Sequence, residues 1–134
     1  MNVYIYAKYL TESFNGNISI KSKLMKTENY IKYMLNIIMK LPRTEKFNIG
    51  NEYKNMMYIM LEDVMMLGKI GMEEKLDYIN KIDARINVQR VFLRIMKDNR
   101  WIDEKKFSYS MSLLDELGRI VGGLLKAYAQ NIKK

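Results

Sequence analysis

The chain has no cysteine and no histidine, and a single proline. Without cysteine there is no disulfide scaffold, no iron–sulfur site and no zinc ribbon. Without histidine the commonest general base and the commonest metal ligand are missing. A Ser-His-Asp triad, a Cys-His pair and a His-bearing di-iron bundle are all excluded. One proline and seven glycines in 134 residues leave long stretches without a helix breaker. That favours an all-helical chain over a turn-rich β fold. Long apolar runs are missing as well. Met56-Met57-Tyr58-Ile59-Met60-Leu61 is far short of the roughly 20 residues a membrane span needs. The opening Met1-Asn2-Val3-Tyr4-Ile5-Tyr6 has no basic lead-in, and Lys8 and Glu12 interrupt any apolar segment, so no signal peptide is read there. The expectation is a cytoplasmic protein with no membrane partner.

Acidic residues are also in deficit. Lys and Arg number 23 against 15 Asp and Glu, a net charge of +8. In a single small domain this balance suits a polyanionic partner such as nucleic acid. It also suits plain solubility. With 49% hydrophobic residues the chain can bury a core of its own.

The apolar spacing predicts four helices. The first, from about residue 28 to 40, carries Tyr30, Met34, Ile37, Ile38 and Leu41 on one face, with Thr27 as its cap. Pro42 ends it, because a residue before proline is pushed out of the α region. Thr44 is expected to cap the second helix, residues 45–68, with Ile49, Tyr53, Met56, Met60, Val64 and Leu67 inside. The third, residues 73–98, faces inward through Leu76, Ile79, Ile82, Ile86, Leu93 and Met96, with Gln89 in the gap. Asp103 is expected to cap the fourth, which continues to about residue 130. Amphipathic helices on short connections make an antiparallel four-helix bundle over residues 25–134. Residues 1–24 are read as an N-terminal appendage, disordered or an over-extended gene start. A hairpin could form there, turning at Asn15-Gly16-Asn17 between Val3-Tyr4-Ile5-Tyr6 and Ile18-Ser19-Ile20.

Little in this pattern supports catalysis. The acid pairs Glu62-Asp63, Glu73-Glu74, Asp103-Glu104 and Asp115-Glu116 are adjacent, so their side chains point to different helix faces. They read as solvated charge rather than as a dyad or a carboxylate metal site. No catalytic residue, metal or cofactor is expected. The polar stripe Asp83, Asn87, Arg90, Arg94, Lys97 is more telling. Its last three members are basic, Arg100 follows, Lys105 and Lys106 open the next helix, and Arg85 lies elsewhere on the third helix. With Trp101 nearby, this set suits phosphate contact beside base stacking. Cations at a helix C-terminus also complement its dipole. Asp83 is expected to pair with a cation from another helix. Gly118 and Gly122 share a helix face and admit a close backbone, either inside the bundle or, together with Leu117 and Val121, at a contact between subunits.

Particular strings go further. Lys40-Leu41-Pro42-Arg43-Thr44-Glu45-Lys46-Phe47-Asn48-Ile49-Gly50 resembles the junction of the first two helices in the accessory variability determinant (Avd) proteins of diversity-generating retroelements. Leu113-Leu114-Asp115-Glu116-Leu117-Gly118-Arg119-Ile120-Val121-Gly122-Gly123-Leu124-Leu125-Lys126 resembles their last helix, where a Leu-x-Glu-Ile-Gly-Arg-x-x-Gly-Gly-type motif recurs. Ile82-Asp83-Ala84-Arg85-Ile86-Asn87-Val88-Gln89-Arg90-Val91 fits their third helix. The resemblance implies a homopentameric barrel of four-helix bundles with a basic surface. It implies a non-catalytic protein whose partners are a reverse transcriptase and nucleic acid, template RNA or single-stranded DNA. The alternative within the same superfamily is a ribosomal RNA intervening-sequence protein with no reverse transcriptase partner.

Overall fold

The computed structural model describes the backbone of residues 18–132 and the side chains of residues 23–129. Four long helices follow in order: α1 (Ile18–Met39), α2 (Ile49–Met66), α3 (Met72–Asp98) and α4 (Glu104–Ile132). A single helical turn, Arg43–Lys46, stands between α1 and α2, and the described residues contain no strand. The helices close into a ring in which α1 packs on α2 and α4, and α3 packs on α2 and α4.

Cross-helix contacts give the directions. Lys26 meets Glu116 while Tyr33 meets Tyr109. Tyr53 meets Phe92 while Asp63 meets Arg85. Arg90 meets Asp115 while Lys97 meets Glu104. In each case the numbering climbs on one helix and falls on its neighbour, the signature of an antiparallel bundle.

The inward faces follow the helical period. Tyr30, Met34, Ile37, Ile38 and Leu41 are buried, as are Ile79, Ile82, Ile86, Leu93 and Met96. On α2 the inward residue is Met57 rather than Met56, beside Tyr53, Met60, Leu61 and Val64. Leu114, Leu117 and Val121 complete the core from α4.

One core layer is polar. Tyr30, Tyr53 and Gln89 are all buried. The Tyr30 hydroxyl donates to Gln89 Oε1 at 2.7 Å, so the Tyr53 hydroxyl donates to Tyr30. Gln89 Nε2 in turn donates to the Arg85 carbonyl at 3.1 Å and to Met60 Sδ at 3.4 Å. Every donor in the chain has an acceptor, which is what makes a buried polar layer tolerable. Gln89, read from the sequence as a gap in an apolar stripe, is the terminus of this relay.

Two boundaries differ from the sequence reading. Helix α1 begins by Ile18, not at Glu28. Thr27 is therefore no cap: it lies inside the helix, buried, with its hydroxyl donating to the Lys23 carbonyl at 2.9 Å. Leu24 is fully buried, so the extra turns are held by packing. Ile18-Ser19-Ile20 is accordingly helical rather than a hairpin arm; the turn and the other arm lie outside the described residues. The second correction is at the start of α2. Pro42, not Thr44, precedes the single turn, and the chain breaks at Phe47-Asn48 before α2 starts. Gly50 accounts for the tight junction. A Cβ there would lie 3.0 Å from Ile38 Cγ2 and 3.2 Å from the Glu45 carbonyl oxygen.

Candidate nucleic-acid interface

The α3–α4 connection is built by local chemistry. Trp101 N–H donates to the Met96 carbonyl and Arg100 N–H to the Lys97 carbonyl, both at 2.9 Å. This is the paired bonding of a Schellman stop, which needs one residue in the left-handed region. Arg100 occupies it with φ 62°, where glycine is usual. Ile102 is then buried as an anchor, and Trp101 packs partly against the core. Asp103 Oδ1 accepts the Lys106 backbone N–H at 2.7 Å and starts α4, as its position in the sequence predicts.

The structure separates the basic residues into two groups. Arg85, which the sequence already sets apart from the stripe, lies at the α2–α3 seam, where its Nε is 3.7 Å from Asp63 Oδ2. Both atoms are buried, and neither has a hydrogen-bond partner among the described residues. Burial pushes the Asp63 carboxyl up, with Arg85 and Lys81 opposing the shift and Glu62 adding to it. Asp63, read from the sequence as solvated charge, is instead buried, because its partner lies on another helix.

Arg90 is held by Asn87 Oδ1 at 2.8 Å and by Asp115 Oδ1 at 3.1 Å. Its guanidinium lies on the bare backbone of Gly118, where a Cβ would come within 2.8 Å of Nη2. Lys97 pairs with Glu104 at 3.4 Å and lies 4.6 Å from the centre of the Phe107 ring. Lys106 is half-buried. That leaves Arg94, Arg100 and Lys105 as exposed cations with no ion pair among the described residues. The topology places all three at the end of the bundle where α3 hands over to α4. Asp83 makes no ion pair among the described residues; Arg90, on its own face, is taken by Asp115 across the seam.

The proposed subunit-contact residues divide similarly. Leu117 and Val121 are buried in the chain's own core, and the space over Gly118 belongs to Arg90. Gly122 and Gly123 are exposed, and a Cβ on either would touch nothing within 4 Å. Among the described residues no group of three or more acidic side chains is placed to hold a metal ion. Among them, too, no helix is long and apolar enough to cross a membrane.

A ring of four antiparallel helices defines a four-helix-bundle protein. The profile of the bAvd-like family matches residues 20–128, and the chain belongs to that family. No curated protein matches the chain, and no solved structure does.

Proposed function

We propose that this chain is a non-catalytic accessory protein of a diversity-generating retroelement. It acts in the cytoplasm as a homopentamer, holding a reverse transcriptase and neutralising the phosphates of template RNA or complementary DNA. Family membership supports the accessory role. The observation that carries nucleic-acid binding is the set of exposed cations without an ion pair among the described residues, Arg94, Arg100 and Lys105, near the α3–α4 connection of a chain with net charge +8. Arg85, Arg90 and Lys97 contribute less, because a carboxylate already faces each of them.

Phosphate contacts position a strand without reading its sequence. Log affinity should fall with log salt by roughly 0.7–0.9 per neutralised phosphate. The test is fluorescence anisotropy of a labelled RNA across a salt series. Arg94→Gln/Arg100→Gln should lower the slope by about 1.5 and weaken binding to RNA and single-stranded DNA alike. An unchanged slope, or a parent protein that binds neither, overturns the reading. Light scattering tests the assembly, and a mass near that of one 16.0 kDa chain refutes the pentamer. Co-purification with the reverse transcriptase of the same retroelement tests the partner.

A further inference from the structure

Helix α1 carries a second stripe, on the side facing α4 and solvent. Lys26, Asn29, Tyr33 and Asn36, with Lys40 one residue past the helix end, are spaced 3, 4, 3, 4, and all are at least partly exposed. Along α4, Lys105, Tyr109, Ser112 and Glu116 repeat at 4, 3, 4. The two stripes meet. Lys26 Nζ lies 2.6 Å from Glu116 Oε1, and the Tyr33 and Tyr109 rings stand edge to face with centroids 4.7 Å apart. Between these contacts is a hollow of about 350 Å³ with Tyr30 and Leu117 in its floor and Asn29 at its rim. Tyr109 remains 52% exposed, although a ring of that size is usually better covered.

The charges select what could enter. Glu116 is held below the usual carboxylate range, first by its hydrogen bond from Lys26 and then by that residue's charge. The ion pair balances the Lys26 charge against Glu116, so the two add no net charge to the hollow. One helical turn along α4 from Tyr109, however, is Lys105, and seven residues on from Tyr33, just past the end of α1, is Lys40. Both are exposed with no ion pair among the described residues. A neutral, aromatic-walled hollow with ammonium groups to one side fits a planar ring attached to an anionic backbone.

We propose that the Tyr33–Tyr109 hollow is a base-stacking site for single-stranded RNA or DNA, with Lys40 and Lys105 on the flanking phosphates. This rests on the nucleic-acid reading above and deepens it. A duplex keeps its bases stacked inside and cannot fill the hollow.

The test is anisotropy with a labelled 20-nucleotide single strand and with its duplex, on the parent, Tyr109→Leu, Tyr109→Trp and Lys40→Gln/Lys105→Gln. Tyr109→Leu should weaken single-strand binding about tenfold with an unchanged salt slope, leaving duplex binding alone. Tyr109→Trp should keep the affinity. The lysine pair should lower the slope by about 1.5. A 5-iodouridine strand should crosslink to Tyr109 on irradiation. If the parent binds and Tyr109→Leu binds single strands equally well, the hollow is not the site, while the basic-surface reading survives. If the parent binds neither RNA nor DNA at low salt, both fail. If Tyr109→Leu changes the oligomeric mass, the hollow is a contact between copies and the proposal is overturned.

Discussion

The buried relay Tyr53–Tyr30–Gln89 makes a prediction whose order depends on the direction of its bonds. In Tyr53→Phe the first donor disappears, while the Tyr30 hydroxyl still donates to Gln89 Oε1. One bond is lost and no donor is stranded, at a cost of about 1 kcal/mol. In Gln89→Leu the terminal acceptor disappears. Two hydroxyls then share one bond, and whichever way it points one O–H has no acceptor. A stranded buried donor costs about 1–3 kcal/mol, so this variant should lose about 2 kcal/mol. Tyr30→Phe strands both the Tyr53 O–H and Gln89 Oε1, and should be worst, at about 3 kcal/mol. The triple change Tyr30→Phe/Tyr53→Phe/Gln89→Leu strands neither hydroxyl nor amide. Its cost should fall well below the sum of the three singles, because the partners act as a unit. Urea unfolding followed by circular dichroism at 222 nm measures all four. The reasoning is refuted if Tyr53→Phe costs as much as Tyr30→Phe, or if the triple variant is additive.

The same layer predicts alkaline sensitivity. Burial pushes both tyrosine hydroxyls above their usual 10.0, and for Tyr30 the neighbouring Tyr53 adds to the shift. The folded state holds these protons longer than the unfolded state, so stability is full below pH 10 and declines above it, by about 1.4 kcal/mol per pH unit for each tyrosine. Urea midpoints from pH 9 to 11 should show this, and Tyr30→Phe/Tyr53→Phe should flatten the decline. Arg100→Gly should raise the urea midpoint by about 1 kcal/mol of stability, because it relieves the left-handed backbone, while weakening RNA binding; a destabilised variant refutes the strain. Gly122→Ala/Gly123→Ala should stabilise the helix by up to about 1 kcal/mol per site, since each Cβ enters open space. If these glycines seat a second copy, light scattering will show a lower mass; a stabilised variant of unchanged mass removes them from the contact.

Local chemistry was legible from the sequence. The inward stripes of α1 and, from Ile79 to Met96, of α3 depend only on helical period, though Leu76, expected inside, is not part of the core; Asp103 caps α4 through a backbone N–H three residues away. The all-helical class and the bundle follow from the same short-range rules, and the strings that resemble Avd proteins lie within the residues that match the family. What the sequence left undecided involves partners far along the chain. Helix α1 continues past Thr27 to Ile18 because Leu24 and Thr27 are covered by the bundle, which no propensity within those turns reports. The break before α2 is set where Gly50 lies against Ile38 and the Glu45 carbonyl. The basic stripe reads as one continuous surface in the sequence, yet Arg90 meets Asp115 and Lys97 meets Glu104 once α3 and α4 pack, and Arg85, off the stripe, meets Asp63 on α2. Charge compensation acts through distances in space, so tertiary structure alone decided that Arg94, Arg100 and Lys105 remain free of ion pairs among the described residues.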